Sequence, residues 1–83
     1  MNIRELELQV QVMVNLHNLG AVREEVAKTA DQLASMLNSS FDDTTRALDI
    51  LNSESYVKFV VRENRNWYYL TGKGIVTVCA MFT

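Results

Sequence analysis

The sequence predicts a small α+β domain in which three helices precede a two-stranded β-hairpin and a short C-terminal helix. Apolar residues recur at helical spacing in segments 3–19, 30–37 and 42–52. Within 56–71, two runs rich in β-branched and aromatic residues flank a short polar connection, a pattern typical of a hairpin. Segment 73–82 is apolar again, at helical spacing. These observations place all four helices and the hairpin in one domain over residues 1–83.

Composition limits the class of protein. The chain has 83 residues, 48% of them hydrophobic, which is enough for one packed core. Its single cysteine, Cys79, excludes an internal disulfide and fits a reducing compartment. No apolar run approaches the roughly 20 residues of a membrane span, and no signal segment opens the chain. We therefore expect a cytoplasmic protein without membrane contact.

The first segment, 3–19, carries both strand and helix signals. Its apolar residues alternate as in a strand, but the segment is too long for a typical strand of roughly 5–6 residues. Gly20 is a good helix stop, so we predict a helix. Two apolar stripes require cover on two sides, by the C-terminal segment or by a second copy of the chain. The stripes are Leu6, Val10, Met13 and His17, and Leu8, Val12, Leu16 and Leu19.

Segment 21–29 leaves two alternatives open, a short strand near Lys28 or an added helical turn. Thr29 is expected to cap helix 30–37, and the polar residues 38–40 form a turn into the next helix. Helix 42–52 begins at good capping residues and divides into two faces. Its inner face is Phe41, Thr44, Ala47, Leu48 and Leu51, and its outer face is Asp42, Thr45, Arg46 and Asp49.

The C-terminal segment starts at Thr71, a capping residue, and leads into helix 73–82. Its apolar stripe is expected to be packed, with Cys79 as a small core residue and the chain end covered. His17 lies on a stripe of the first helix and is interpreted as a core or boundary residue. The stripe of the last helix is Ile75, Val78, Cys79 and Phe82.

This order of elements resembles the winged helix-turn-helix fold. Residues 44–51, followed by Ser55-Tyr56-Val57, resemble the recognition helix and first wing strand of winged-helix repressors. Residues 68–74 resemble the Tyr-x-Leu-Thr-x-x-Gly wing ending of regulators of the MarR and PadR type. The likeness covers roughly residues 28–75. The sequence departs from the family pattern at Ser55, where these families usually have glycine. It also departs in helix 42–52, which is more acidic than their recognition helices.

The resemblance implies a dimeric DNA-binding transcriptional regulator. Helix 42–51 would enter the major groove, where an arginine fork suits guanine, and hairpin tip 62–66 would touch the backbone or minor groove. The first helix would pair two copies through Leu8, Val12, Leu16 and Leu19. The expected contacts to double-stranded DNA are Ser40, Asp42, Thr45, Arg46, Lys58, Arg62, Asn64, Arg65 and Asn66.

The charge favours a second hypothesis, a winged-helix module that binds another protein and no DNA. The formal net charge is −2, which counts against strong non-specific nucleic-acid binding. Arg46 could instead pair with a neighbouring aspartate of its helix. Ile50 or Trp67 would then anchor the protein partner. In the alternative interpretation of Trp67, this side chain packs over the sheet against a helix.

The sequence contains no catalytic pattern. Its one histidine and one cysteine are far apart, and it has no glycine-rich phosphate loop. One cysteine also excludes a cysteine-cluster zinc site. We therefore expect a protein that is not an enzyme and that needs no metal or cofactor.

Overall fold

The computed structural model describes residues 3–82. It contains four α-helices, one 3₁₀ turn and three strands. In chain order these are α1 (Ile3–Asn18), the 3₁₀ turn (Glu24–Val26), β1 (Lys28–Thr29), α2 (Ala30–Leu37), α3 (Phe41–Ser53), β2 (Val57–Arg62), β3 (Arg65–Leu70) and α4 (Gly72–Met81). Within the described range, no helix is long and apolar enough to cross a membrane.

The three strands form one antiparallel sheet in the order β1-β3-β2. The hairpin of β2 and β3 pairs from Val57 opposite Leu70 to Arg62 opposite Arg65, which confirms the predicted wing. On the other side of β3, Lys28 pairs with Tyr68. Segment 21–29 therefore contains both of the alternatives that the sequence left open, a helical turn and then a strand.

The core lies between the three N-terminal helices, α4 and one face of the sheet. Helix α1 packs against α2, α3, α4 and β3, so its two apolar stripes are covered largely within one chain. Every element except the 3₁₀ turn and β1 contributes a fully buried apolar side chain. These are Val12, Leu16, Leu33, Leu48, Leu51, Val57, Leu70 and Val78.

This packing corrects the predicted dimer stripe of α1. Val12 and Leu16 are fully buried in the chain's own core, so they have no surface to offer a second copy. Leu8 is half-buried against the core, and Leu19 lies past the end of α1 and is exposed. The stripe proposed for pairing is mainly a core stripe.

Helix α4 is also packed differently from the expectation. Val78 and Gly74 are buried, whereas Cys79 and Phe82 are exposed. The expectations of a core Cys79 and a covered chain end are therefore wrong for this single chain. Only one face of α4 packs against the rest of the domain, because this ten-residue helix lies at the edge of a small core. Residues on the other face are therefore exposed.

The predicted caps of α2 and α4 are present. Thr29 Oγ1 accepts a hydrogen bond from the Gln32 amide at 3.2 Å, and Gln32 Oε1 accepts one from the Thr29 amide at 3.0 Å. This reciprocal pair satisfies two amides that a helix start leaves open. Thr71 Oγ1 accepts from the Gly74 amide at 3.1 Å and starts α4 in the same manner.

Helix α3 ends in a Schellman motif that has serine where glycine is usual. The Tyr56 amide donates to the Leu51 carbonyl at 2.9 Å, and the Ser55 amide donates to the Asn52 carbonyl at 3.1 Å. Ser55 has a φ of 65°, in the left-handed region. A Cβ in that region crowds the following carbonyl, which glycine avoids.

We expect Ser55→Gly to raise the free energy of unfolding by about 1 kcal/mol, because glycine removes this crowding. Urea unfolding followed by circular dichroism measures the change. Asn38→Gly is the matched control: Asn38 has a φ of 53°, and asparagine tolerates this region, so the gain should be smaller. A Ser55→Gly protein no more stable than the wild type would contradict the strain at this position.

Candidate nucleic-acid interface

The turn between α2 and α3 fixes where α3 begins. Asn38 ends α2 in a left-handed conformation, and the Ser39 amide donates to the Ala34 carbonyl at 3.0 Å. Ser40 Oγ then accepts from the Asp43 amide at 3.0 Å, as an N-cap. The Ser40 hydroxyl, expected to contact DNA, is thus used in starting the helix.

A buried threonine locks α3 onto this turn. Thr44 is fully buried, and its hydroxyl lies 2.8 Å from the Ser40 carbonyl and 2.6 Å from the Ser39 hydroxyl. The Ser40 carbonyl oxygen and the Ser39 hydroxyl therefore both have a hydrogen-bond partner inside the domain. The orientation of α3 relative to α2 is consequently set by hydrogen bonds as well as by apolar packing.

The exposed surface of α3 is mainly acidic. Asp42, Asp43 and Asp49 are exposed there, and Arg46 is the only basic residue of the helix. Arg46 Nη1 lies 3.7 Å from Asp43 Oδ1, an exposed pair of the kind that the sequence suggested. The same arginine lines a groove of about 180 Å³ between α1 and α3, beside Ile50.

The wing tip is a two-residue turn formed by Glu63 and Asn64. Both have positive φ, 55° and 61°, as the type I′ turn of tight hairpins requires. Arg62 and Arg65 face each other across this turn. The turn therefore presents one acidic, one amide and two basic side chains close together at the end of the wing.

Arg62 is held within the domain. Its guanidinium lies 5.0 Å from the centre of the Trp67 ring, and its Nη2 donates to the Glu24 carbonyl at 3.0 Å. Trp67 Nε1 in turn donates to the Arg62 carbonyl at 3.1 Å. Trp67 alternates with the buried Tyr68 and so lies on the outer face of the sheet. It is half-buried there under Arg62, a placement that differs from packing against a helix.

A second groove, of about 300 Å³, separates the first turns of α3 from the wing tip. It brings together four of the predicted DNA-contacting residues. These are Thr45 of α3 and Asn64, Arg65 and Asn66 of the wing. Phe41, Tyr68 and the start of α2 complete its lining. Ser40, Asp42, Arg46, Lys58 and Arg62 are not part of this lining.

The groove has polar and apolar parts. Asn66 Nδ2 donates to the Tyr68 hydroxyl at 3.3 Å, while Tyr68 itself is almost fully buried. The side chain of Arg65 is exposed and makes no hydrogen bond or ion pair with any other residue of the range 3–82. Its guanidinium is therefore available to a ligand. Lys58, on the outer face of β2, is likewise exposed.

Phe41 is the most exposed apolar residue of this groove, and the sequence did not predict it as a site residue. Periodicity assigned it to the buried face of α3, but 51% of its surface is exposed. Side chains on a helix tilt toward its N-terminus, so the ring of the first residue projects past the helix end and not onto the core. Its place directly after the N-cap was the signal in the sequence.

Comparisons with known proteins identify the fold. No protein-family model and no curated protein sequence matches the chain. Among solved structures, TubR from Bacillus megaterium superposes with a TM-score of 0.83 at 20% identity, over 99% of this chain and 87% of that chain. A candidate DNA-binding protein from Ralstonia eutropha gives 0.79 at 18% identity, over 93% and 96%.

A further match is a MarR mutant from Escherichia coli in complex with operator DNA. Its TM-score is 0.73 at 23% identity, over 87% of this chain and 49% of that chain, so the present chain spans about half its length. At these identities the likeness concerns the fold alone. The chain is a winged helix-turn-helix domain, with α3 in the place of the recognition helix and the β2–β3 hairpin as the wing.

Proposed function

We propose that this chain is a small transcriptional regulator that binds double-stranded DNA in the groove between α3 and the wing. One observation carries the proposal: Thr45 of α3 and Asn64, Arg65 and Asn66 of the wing share one exposed groove. In helix-turn-helix proteins the first residues of the recognition helix meet base edges. The wing tip would then supply the contacts to phosphate or the minor groove.

The distribution of charge supports this division of roles. Residues 57–66 contain three basic residues and one acidic residue, whereas α3 contains one basic and three acidic residues. Phosphates are attracted to the basic segment 57–66 and repelled by the acidic helix α3. The wing therefore provides the electrostatic part of binding, and α3 provides contacts to the bases. The solved complexes of MarR with operator DNA and of MepR with DNA lend support by analogy of fold.

The protein acts by binding alone, in the cytoplasm, without a catalytic step or cofactor. Its single histidine, at the end of α1, and its single cysteine, on α4, lie outside the groove. Within residues 3–82, no cluster of three or more potential ligands could hold a metal ion. The groove is lined by amides, a guanidinium, hydroxyls and the carboxylate of Asp31, and these groups suit recognition by hydrogen bonding.

Selection from a random duplex library, followed by fluorescence anisotropy on the enriched sequence, tests this function. We expect one enriched sequence that binds more tightly than an unrelated duplex and than its own single strands. The assay should run at about 50 mM salt, where phosphate contacts count most. Absence of enrichment and of any binding to duplex at this salt would refute the function.

We further propose that the protein is a homodimer that pairs through α4 and the start of α1. Val76 and Phe82 are 69% and 70% exposed, and Ile3 and Leu6 of α1 are also exposed. Helices α1 and α4 pack against each other, and exposed apolar patches commonly mark interaction sites. Two copies would engage two half-sites, which multiplies the modest affinity of a weakly charged domain.

The double variant Val76→Asp with Phe82→Asp tests the dimer. Analytical ultracentrifugation should give a dimer for the wild type and a folded monomer for the variant, because two carboxylates would be desolvated at the interface. Val61→Asp is the matched control, since Val61 is an exposed apolar residue of the wing, and it should remain dimeric. A monomeric wild type, or a dimeric variant, would contradict pairing through α4.

A further inference from the structure

An exposed aromatic ring stands at the edge of the groove proposed to bind DNA. Phe41, the first residue of α3, is half-exposed and lines the groove together with Thr45 and the wing tip. Such a ring is apolar surface without cover. Its position at the start of the recognition helix is the one from which helix-turn-helix proteins contact base edges.

The first two turns of α3 offer little for hydrogen bonding to a guanine. Guanine presents two acceptors in the major groove, N7 and O6, which need donors from the protein. The hydroxyl of Thr45 already donates to the Phe41 carbonyl at 2.8 Å. Asp42 is an acceptor, and Arg46 lies beside Asp43 on the side of α3 that faces α1. This part of the helix therefore selects against a guanine edge.

Thymine, in contrast, presents an apolar group that the exposed ring of Phe41 can contact. Its C5-methyl is the apolar group on the major-groove edges, and apolar side chains, phenylalanine included, are suited to it. We infer that Phe41 contacts a thymine methyl in the major groove and is the specificity-determining residue of this site. The inference rests on the proposed function and adds to it the base that α3 selects.

The surroundings of Phe41 favour DNA over an apolar protein partner. Across the groove from α3, the wing presents the exposed guanidinium of Arg65 and the side chains of Asn64 and Asn66. The groove also contains the carboxylate of Asp31, at the start of α2. The ring on one side and the cation with amides on the other match a base edge beside its phosphate. A purely apolar partner surface would leave the arginine desolvated and unpaired.

Removal of single thymine methyls tests the inference. Each thymine of the duplex selected by the wild-type protein is replaced in turn by deoxyuridine, which removes the methyl and keeps base pairing. For the wild type we expect about a fourfold loss of affinity at one or two positions, the fold-change that corresponds to roughly 0.8 kcal/mol for one buried carbon group. With Phe41→Ala, the loss at those positions should disappear.

Two further variants make the test specific. Phe41→Leu retains apolar contact and should keep part of the thymine preference. Tyr69→Ala removes an aromatic side chain on the outer face of β3 that does not line the groove, and the full preference should remain. Circular dichroism confirms that each variant is folded.

The outcomes separate this inference from the proposed function. If duplex binds but the loss on methyl removal is the same in the wild type and in Phe41→Ala, the thymine contact is wrong and the DNA-binding function stands. If Phe41→Ala weakens all duplexes equally and leaves the methyl dependence intact, the contact is also wrong. If the wild type binds no duplex, both fail.

Discussion

Gly74→Ala is expected to lower the free energy of unfolding by about 3 kcal/mol, at the upper end of what overpacking typically costs. A Cβ at Gly74 would meet the Tyr56 carbonyl oxygen and lie 2.6 Å from Leu70 Cδ1. The carbonyl cannot withdraw easily, because it accepts hydrogen bonds from the Thr71 amide at 3.0 Å and hydroxyl at 3.1 Å. Leu70 is fully buried and has no room to turn away.

Urea unfolding of Gly74→Ala beside Gly72→Ala isolates this effect. Both glycines lie in the first turn of α4, but a Cβ at Gly72 would meet no atom within 4 Å. Gly72→Ala should therefore unfold at or slightly above the wild-type urea concentration, because alanine favours helix. If the two variants unfold at the same concentration as the wild type, the close approach of α4 to β3 is wrong.

Arg65→Ala is expected to weaken binding to every duplex and to reduce the slope of log affinity against log salt by about 1. The guanidinium is exposed, lies in the groove and has no partner within residues 3–82, so its removal costs phosphate contact and not folding. The effect should be the same for selected and unrelated sequences, because phosphates carry no sequence information.

Fluorescence anisotropy at several salt concentrations measures this slope. Arg4→Ala is the matched control, since Arg4 is an exposed arginine of α1 that lines the other groove. Glu63→Gln should act in the opposite direction and raise affinity, because it removes the one acidic residue of the wing tip. An unchanged slope in Arg65→Ala would show that the wing does not lie along the DNA backbone.

Much of the fold follows from local patterns in the sequence. The length of the first apolar segment decided between strand and helix, and α1 (Ile3–Asn18) is helical as expected. The hairpin followed from its β-branched runs and polar turn. Strand β1 could not be predicted in the same way, because two residues, Lys28 and Thr29, have no periodicity and pair only through distant residues of β3.

Burial was harder to predict than secondary structure. Val12 of α1 and Phe82 beyond α4 look equally apolar in the sequence, yet the first is in the core and the second is exposed. Which stripe is covered depends on how the helices pack, and that is a property of the whole chain. For the same reason the sequence named Thr45 and Arg65, which line the groove, as DNA contacts but assigned Phe41, which also lines it, to the core.

In the proposed complex, duplex DNA lies against the start of α3 and the wing tip. Chemical-shift mapping of the ¹⁵N-labelled protein during titration with the selected duplex tests it most directly. We expect the largest shifts at the amides of residues 41–45 and 62–66 and at the Asn64 and Asn66 side chains, with little change at 75–80. No shifts with saturating duplex, or shifts confined to α4 and the start of α1, would contradict the account.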